Sequence, residues 1–173
     1  MMRILFSSII FYFILIGLAK PQEKIAFIDV NYIFLNSDAG KNVSFQINEK
    51  KNQLDIEITK YKKKIDEEKK IISSQKNVLS KDDFENKIKE LEKNIKEVNI
   101  TISKKNKDLA KFKSKVEREF FQQLNKVVEN YSLNNSISLI LKKENLLMAK
   151  KNLDITSDIF EIFNEKVKEI NIR

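Results

Sequence analysis

One run of apolar residues limits what this chain can become. Ile88, Leu91, Ile95, Val98, Ile102, Leu109, Phe112 and Val116 recur at alternating spacings of three and four, broken only by Lys105 at a seam position. A heptad seam held over about four repeats specifies a coiled-coil helix, and such a helix needs a second one to cover its stripe. The seam lies within a stretch from about Asp38 to Tyr131 that contains one glycine, Gly40, and no proline. Two long helices folded back on each other account for it.

The first helix is expected over about Ala39–Ser73, with Ile47, Leu54, Ile58, Tyr61, Ile65 and Ile72 on its seam. Lys51 and Glu68 interrupt that seam. Asp38 is placed to cap this helix, and Gly40 falls where its start needs a close backbone approach. The pattern breaks at Ser73-Ser74-Gln75-Lys76-Asn77, and Ser80-x-x-Asp83 or Asp82-x-x-Glu85 offers a capping pair for the next helix. The hairpin tip therefore falls at about 73–81. The second helix is expected over Asp82–Glu129. Past Val116 its spacing changes to four (Phe112, Val116, Phe120, Leu124), a stutter that relaxes a left-handed supercoil. Large rings cluster there, so this end is expected to root the hairpin in a thicker body, because the second helix outruns the first.

The body must come from the flanks. Lys24–Val30 reads as a strand apolar on both faces, hence central. Asn31–Ser37 reads as a short helix or turn with Ile33, Phe34 and Leu35 packing back on that strand. Tyr131–Asn135 closes the second long helix. Ser136–Leu141 reads as a second strand, Lys142–Asn145 as a turn and Leu146–Lys150 as a third strand in a hairpin with the second. A last helix follows, capped by Asp154 or Thr156, with Ile155, Ile159, Phe163, Val167 and Ile170 on its apolar face. The expected fold class is α+β: a small β body with a long antiparallel helical hairpin and a C-terminal helix. The organisation is a leader at 1–19, a discontinuous body at 20–38 and 130–173, and a hairpin arm at 39–129. A chain that spends so many residues on a hairpin has little globular core, so self-association is expected.

The N-terminus assigns a compartment. Met1-Met2-Arg3 is a short basic region, Ile4–Leu18 an apolar run, and Gly17 and Ala19 are small residues placed for cleavage between Ala19 and Lys20. This is the layout of a secretory signal peptide. The run is shorter than the roughly 20 residues a membrane-spanning helix needs; a retained anchor is the alternative. No cysteine follows, which excludes a lipoprotein signal.

The chain has no cysteine and no histidine. Disulfides, thiolate nucleophiles and Cys/His zinc sites are thereby excluded. There is no phosphate-cradling glycine loop and no serine-nucleophile context, and Asp66, Glu67 and Glu68 form an ordinary helical charge run. Neither an enzyme nor a cofactor site is expected.

Charge is unevenly placed. The formal net charge is +8, and Lys50–Lys115 alone holds 20 basic and 12 acidic residues. The run Lys62, Lys63, Lys64 stands out within it. This is either a solvated coiled-coil surface in a lysine-rich proteome or an attraction for an anionic partner: an acidic polypeptide, a phospholipid surface or nucleic acid. Nucleic acid is disfavoured by export, by the absence of tryptophan and by Arg118 being the one arginine near the arms. Phe45, Ile56, Ile71 and Ile100 fall off the seam, and Val78 and Leu79 sit at the tip without an evident partner. They are either scattered surface hydrophobes or adhesive points for unfolded chains.

Two regions carry a family likeness. Lys24-Ile25-Ala26-Phe27-Ile28-Asp29-Val30, Ile33-Phe34 and Ser37-Asp38-Ala39-Gly40-Lys41 form one. Ile137–Leu141, Leu146–Ala149 and Leu153-Asp154-Ile155-Thr156-Ser157-Asp158-Ile159 form the other. In this order, with the leader and the intervening arms, the chain resembles the Skp/OmpH family of periplasmic chaperones over about Lys24–Ile170. The resemblance implies a periplasmic homotrimer whose three hairpins hang from associated bodies around a cavity. It implies a holdase that keeps unfolded outer-membrane proteins from aggregating, without nucleotide. A structural coiled-coil protein of the envelope and a binder of anionic membrane surfaces remain the alternatives. The family's lipopolysaccharide-type basic motif has no evident counterpart here.

Overall fold

The computed structural model describes residues 23–171. The expected leader and the Ala19–Lys20 cleavage site lie outside the described residues. The element order is β1 (Lys24–Ile28), α1 (Val30–Asn36), α2 (Asp38–Ser74), α3 (Lys81–Asn135), β2 (Ile137–Lys142) and α4 (Thr156–Lys166). The fold is α+β: long helices, a small sheet and a C-terminal helix.

Helices α2 and α3 pack on each other as an antiparallel pair, about 55 Å and 82 Å long at 1.5 Å per residue. Ser37 caps α2, its side chain accepting from the Gly40 N–H; Asp38 is the first helical residue rather than the cap. At the other end the Ser80 hydroxyl accepts from the Asp83 N–H at 3.2 Å and donates to the Asp83 carboxylate at 2.6 Å, so the Ser80-x-x-Asp83 pair starts α3. The turn between them spans 75–80.

The N-terminal turn into α2 is tight. A β-carbon on Gly40 would stand 1.8 Å from the Phe34 carbonyl oxygen, so α1 and α2 meet closely enough to exclude every side chain at this position. The entry to α1 is equally abrupt. Asp29 accepts from the Tyr32 N–H at 2.9 Å as N-cap, so the strand ends at Ile28 and Val30 is already helical, where the apolar run alone predicts strand to Val30. Ile33 is buried and Phe34 packs edge-on against Phe120 with ring centroids 5.0 Å apart, but Leu35 points to solvent. A helix cannot turn three consecutive side chains onto one strand.

The sheet departs from expectation. β1 and β2 pair in parallel, from Lys24↔Ile137 to Ile28↔Lys142. Leu146–Lys150 forms no strand among the described residues, and the hairpin expected there is absent. Lys143–Asn145 makes a 3-10 turn, the segment runs free, and a second 3-10 turn at Lys151–Leu153 carries the chain past β1. There Asp154 makes an isolated parallel bridge with Phe27, and the Ile155 N–H donates to the Phe27 carbonyl at 3.0 Å. β1 is therefore flanked on both sides, as a central strand must be.

Two helix ends also differ. α3 continues to Asn135, six residues beyond the expected Glu129, and stops where Ser136 takes the left-handed conformation at φ 53°. Docking holds the extra turns: the Tyr131 hydroxyl donates to Asp158 on α4 at 2.5 Å. That bond and burial push the Tyr131 pKa up to about 12. α4 ends at Lys166, so Val167 and Ile170 lie beyond it, yet Ile170 is buried. The Asp154 carboxylate accepts from the Thr156 N–H at 2.9 Å, and the Thr156 hydroxyl accepts from the Asp29 N–H at 2.9 Å, tying α4 to the β1–α1 corner.

One core gathers these pieces. Ala26, Ile28, Ile33, Val43, Val116, Phe120, Leu124, Ile159 and Phe163 are buried together. Phe120 is its hub, meeting Phe34, Phe121 and Phe163 edge-on at 5.0–5.4 Å. The phenylalanine-rich stutter does root the hairpin in the body.

Candidate functional site

Beyond the root, only Leu54, Ile72 and Leu91 are buried in the hairpin; the other seam residues are half-buried. Polar contacts fill the gaps. Lys105, the break in the α3 seam, reaches Glu57 across the pair at 2.5 Å, and the Glu57 carboxylate holds its ammonium above the usual lysine range. Glu68, the break in the α2 seam, accepts from Asn94 at 3.1 Å. Both contacts belong to one register, so a slip by a turn would lose both. Lys51, the other interruption, is simply exposed.

The outward faces hold the candidate residues. At about 100° per residue, Phe45 and Ile56 fall on the side of α2 opposite Leu54 and Ile72, while Ile71 falls on a flank, about 100° round from Ile72. Phe45 is 65% exposed, and Ile56 and Ile71 are similarly open. The three form a sparse series, about 16 Å and then 22 Å apart along the axis. Lys60, Lys63 and Lys70 share the side of Phe45 and Ile56. Lys63 reaches Glu67 at 3.9 Å, an exposed pair of little energetic weight. Lys62 and Lys64 project to the two flanks, so the lysine run does not act as one cluster. Ile100 stands on the outer side of α3, away from this series. It borders a shallow depression of about 590 Å³ that also includes Ile95, Lys96, Lys104 and Lys107. At the tip Val78 is 83% exposed, whereas Leu79 is half-buried and its N–H bonds to the Gln75 carbonyl at 3.0 Å.

Sequence reasoning missed the most exposed apolar pair. Leu147 and Met148 lie fully open in the unpaired segment after β2. Their signal was present: adjacent apolar residues point to opposite sides of an extended chain, so no single sheet face buries both. Leu35 and Leu133 are likewise exposed.

The geometry defines a class: an α+β protein in which a small body, closed by one parallel strand pair, throws out a lysine-rich helical hairpin with apolar residues on its outer faces. The family model for OmpH-like outer membrane proteins matches residues 24–163, and the chain belongs to that family. The fold is similar to that of a Caulobacter crescentus CB15 protein provisionally assigned as an outer membrane chaperone, OmpH-like. The TM-score is 0.80 at 18% identity, over 89% of this chain and 91% of that one. No curated protein matches the sequence.

Proposed function

We propose that the chain is an ATP-independent periplasmic holdase that binds unfolded outer-membrane proteins and prevents their aggregation in transit. The observation that carries this is the exposed series of Phe45, Ile56 and Ile71 among lysines, on a long hairpin in a chain of the OmpH-like family. Isolated apolar contacts with long gaps suit a partner that has no fixed shape, and distributed positive charge speeds the capture of acidic chains without fixing their register. Phe45, Ile56, Ile71, Val78, Leu79 and Ile100 supply the apolar contacts, and Lys62, Lys63 and Lys64 the attraction. In this reading 1–19 is removed on export, 20–38 with 130–173 is the body, and 39–129 is the arm.

The holdase works as a homo-oligomer, a trimer, with the arms around a shared cavity. The open Leu147–Met148 segment supports association through the body. An apolar depression of about 350 Å³ on the same body, lined by Val30, Phe121, Leu124 and Val128, supports it further. A monomeric mass in solution would remove the cavity, since one hairpin encloses nothing.

The test is dilution of a urea-unfolded porin into the protein without nucleotide. Light scattering should fall at stoichiometric amounts; unchanged scattering rejects the holdase. The lysine-bordered depression on α3 favours a second reading, binding to anionic membrane surfaces. Flotation with anionic vesicles that is lost at high salt would support that reading.

A further inference from the structure

Past α4 the described chain, to Asn171, stays against the molecule. Val167–Asn171 has no regular structure, yet it is drawn onto the root of α2 by a closed ring of hydrogen bonds around one residue. The Ile170 N–H donates to the Asn42 side-chain oxygen at 3.1 Å, and the Ile170 carbonyl accepts from the Gln46 amide at 2.7 Å. The same Gln46 nitrogen donates to the Asn42 oxygen at 2.7 Å, which locks both amides in orientation. The Ile170 side chain is 2% exposed and joins the cluster that holds Val43 and Phe163. The other anchor is weaker: Lys168 meets Asp38 at 3.2 Å, with both side chains largely in solvent.

This is the chemistry of peptide reading. Two amides one helical turn apart address both main-chain groups of an extended residue, and an apolar socket takes its side chain. Main-chain bonds are indifferent to sequence, while the socket asks for an aliphatic group. Phe45, open to solvent, lies on the same turns of α2 as Asn42 and Gln46.

We propose that Asn42, Gln46 and the socket of Ile170 form a peptide-binding site at the root of the arm, occupied in the resting chain by its own strap and available to an extended aliphatic segment of another polypeptide when the strap lifts. Only the identity of the incoming segment, part of an unfolded client, rests on the holdase reading. The strap competes in cis, so it lowers the site's apparent affinity by the fraction of time it is bound.

The test uses the full chain and a fluorescent peptide of residues 166–171, blocked at both ends. The wild-type chain should bind it weakly. Ile170→Ser, which weakens the strap from its own side, should bind at least about tenfold more tightly, the competition having been relieved. Adding Gln46→Ala should abolish that gain, although it frees the strap further. Lys168→Glu, which sets like charges against each other at Asp38 without touching the core, should raise binding several-fold and covers the case in which Ile170→Ser does not fold. A strap that merely braces the root would loosen in the same sense from either side. Equal peptide binding by all the folded chains, or a gain that survives Gln46→Ala, overturns the proposal. The same variants are then titrated with unfolded porin. Peptide results as expected with no porin held by any chain would leave the site standing and reject the holdase. Porin held by every chain with no Gln46-dependent peptide gain would do the reverse.

Discussion

The root and the outer arm are made from the same two helices, and they are held together differently. At the root, α2 and α3 are wrapped by α1, α4 and the sheet, and Phe120 touches three other rings. Farther out each helix has only the other. Leu54, Ile72 and Leu91 are buried there, and Glu57–Lys105 and Asn94–Glu68 take places that apolar pairs would otherwise hold. A helix face can be covered by one neighbour or by several, and only the second arrangement removes it fully from water. The root therefore carries most of the global stability, and the arm is the part that can give.

The largest effect that separates the two regions is expected from Phe120→Ala. It should cost about 3–5 kcal/mol of global stability in urea unfolding, because the vacated space lies where four elements meet. The corresponding truncation in the arm, Leu91→Ala, should cost about 2 kcal/mol and act locally. Hydrogen exchange should accelerate near 54–110 while the amides of β1 stay protected. Equal spreading of both effects would break the distinction between root and arm.

Lys105 with Glu57 probes why the arm is imperfect. Replacing both by leucine should leave the arm as stable or make it more stable, since well-packed apolar pairs match or exceed partly buried ion pairs. The register should then be less well specified, seen as extra species in cross-linking between cysteines introduced along the two helices. A single well-defined register in that double variant would show that the polar contacts do not set it.

The root has its own pH signature. Tyr131 keeps its proton more tightly in the folded chain, up to about 12 against 10.0 for a free side chain, because its hydroxyl donates to Asp158 and is partly buried. Its contribution is complete below pH 10 and is lost as pH rises toward about 12. Tyr131→Phe should flatten the alkaline limb of a stability–pH curve. At the acid end Asp29 is held below its usual value, first by the Tyr32 N–H and then by Lys143. Its contribution is present above pH 3.8 and fades as pH falls below it.

The smallest effect on stability is expected where the effect on function is greatest. Phe45→Ser, Ile56→Ser and Ile71→Ser together should change unfolding by no more than about 0.5 kcal/mol per site, as exposed positions do. Suppression of porin aggregation should fall by half or more. Unchanged suppression would remove the exposed series from the site.

Much of this was legible in the residues because helices announce themselves. The α3 seam, the Ser80-x-x-Asp83 start and the tight place at Gly40 all rest on local rules that α2 and α3 obey. Strands do not name their partners. Nothing in Lys24–Ile28 or Ile137–Lys142 says that they pair in parallel, and Leu146–Lys150 has strand composition but pairs with no strand among the described residues. Leu35 faces solvent because successive side chains on a helix diverge by about 100°, so three adjacent apolar residues cannot all be buried on one side. The ring of Asn42, Gln46 and Ile170 left no trace, since it joins residues 124 or more apart through side-chain amides that carry no pattern.

The parallel pairing of β1 with β2 bears on the order of folding. Lys24 and Ile137 stand 113 positions apart, and closing a flexible loop of that length costs about 4 kcal/mol in chain entropy before any strand contact forms. A hairpin zipped from its tip meets no such barrier, because each turn closes only a short loop on the one before. We expect the arm to assemble first and to deliver the two strands to each other. Leu91→Ala should then slow refolding in stopped-flow experiments, whereas Phe120→Ala should mainly speed unfolding. The reverse pattern would mean that the body forms without the arm's help. On this account the arm is also a splint: the long insertion between the two strands makes their small sheet kinetically accessible.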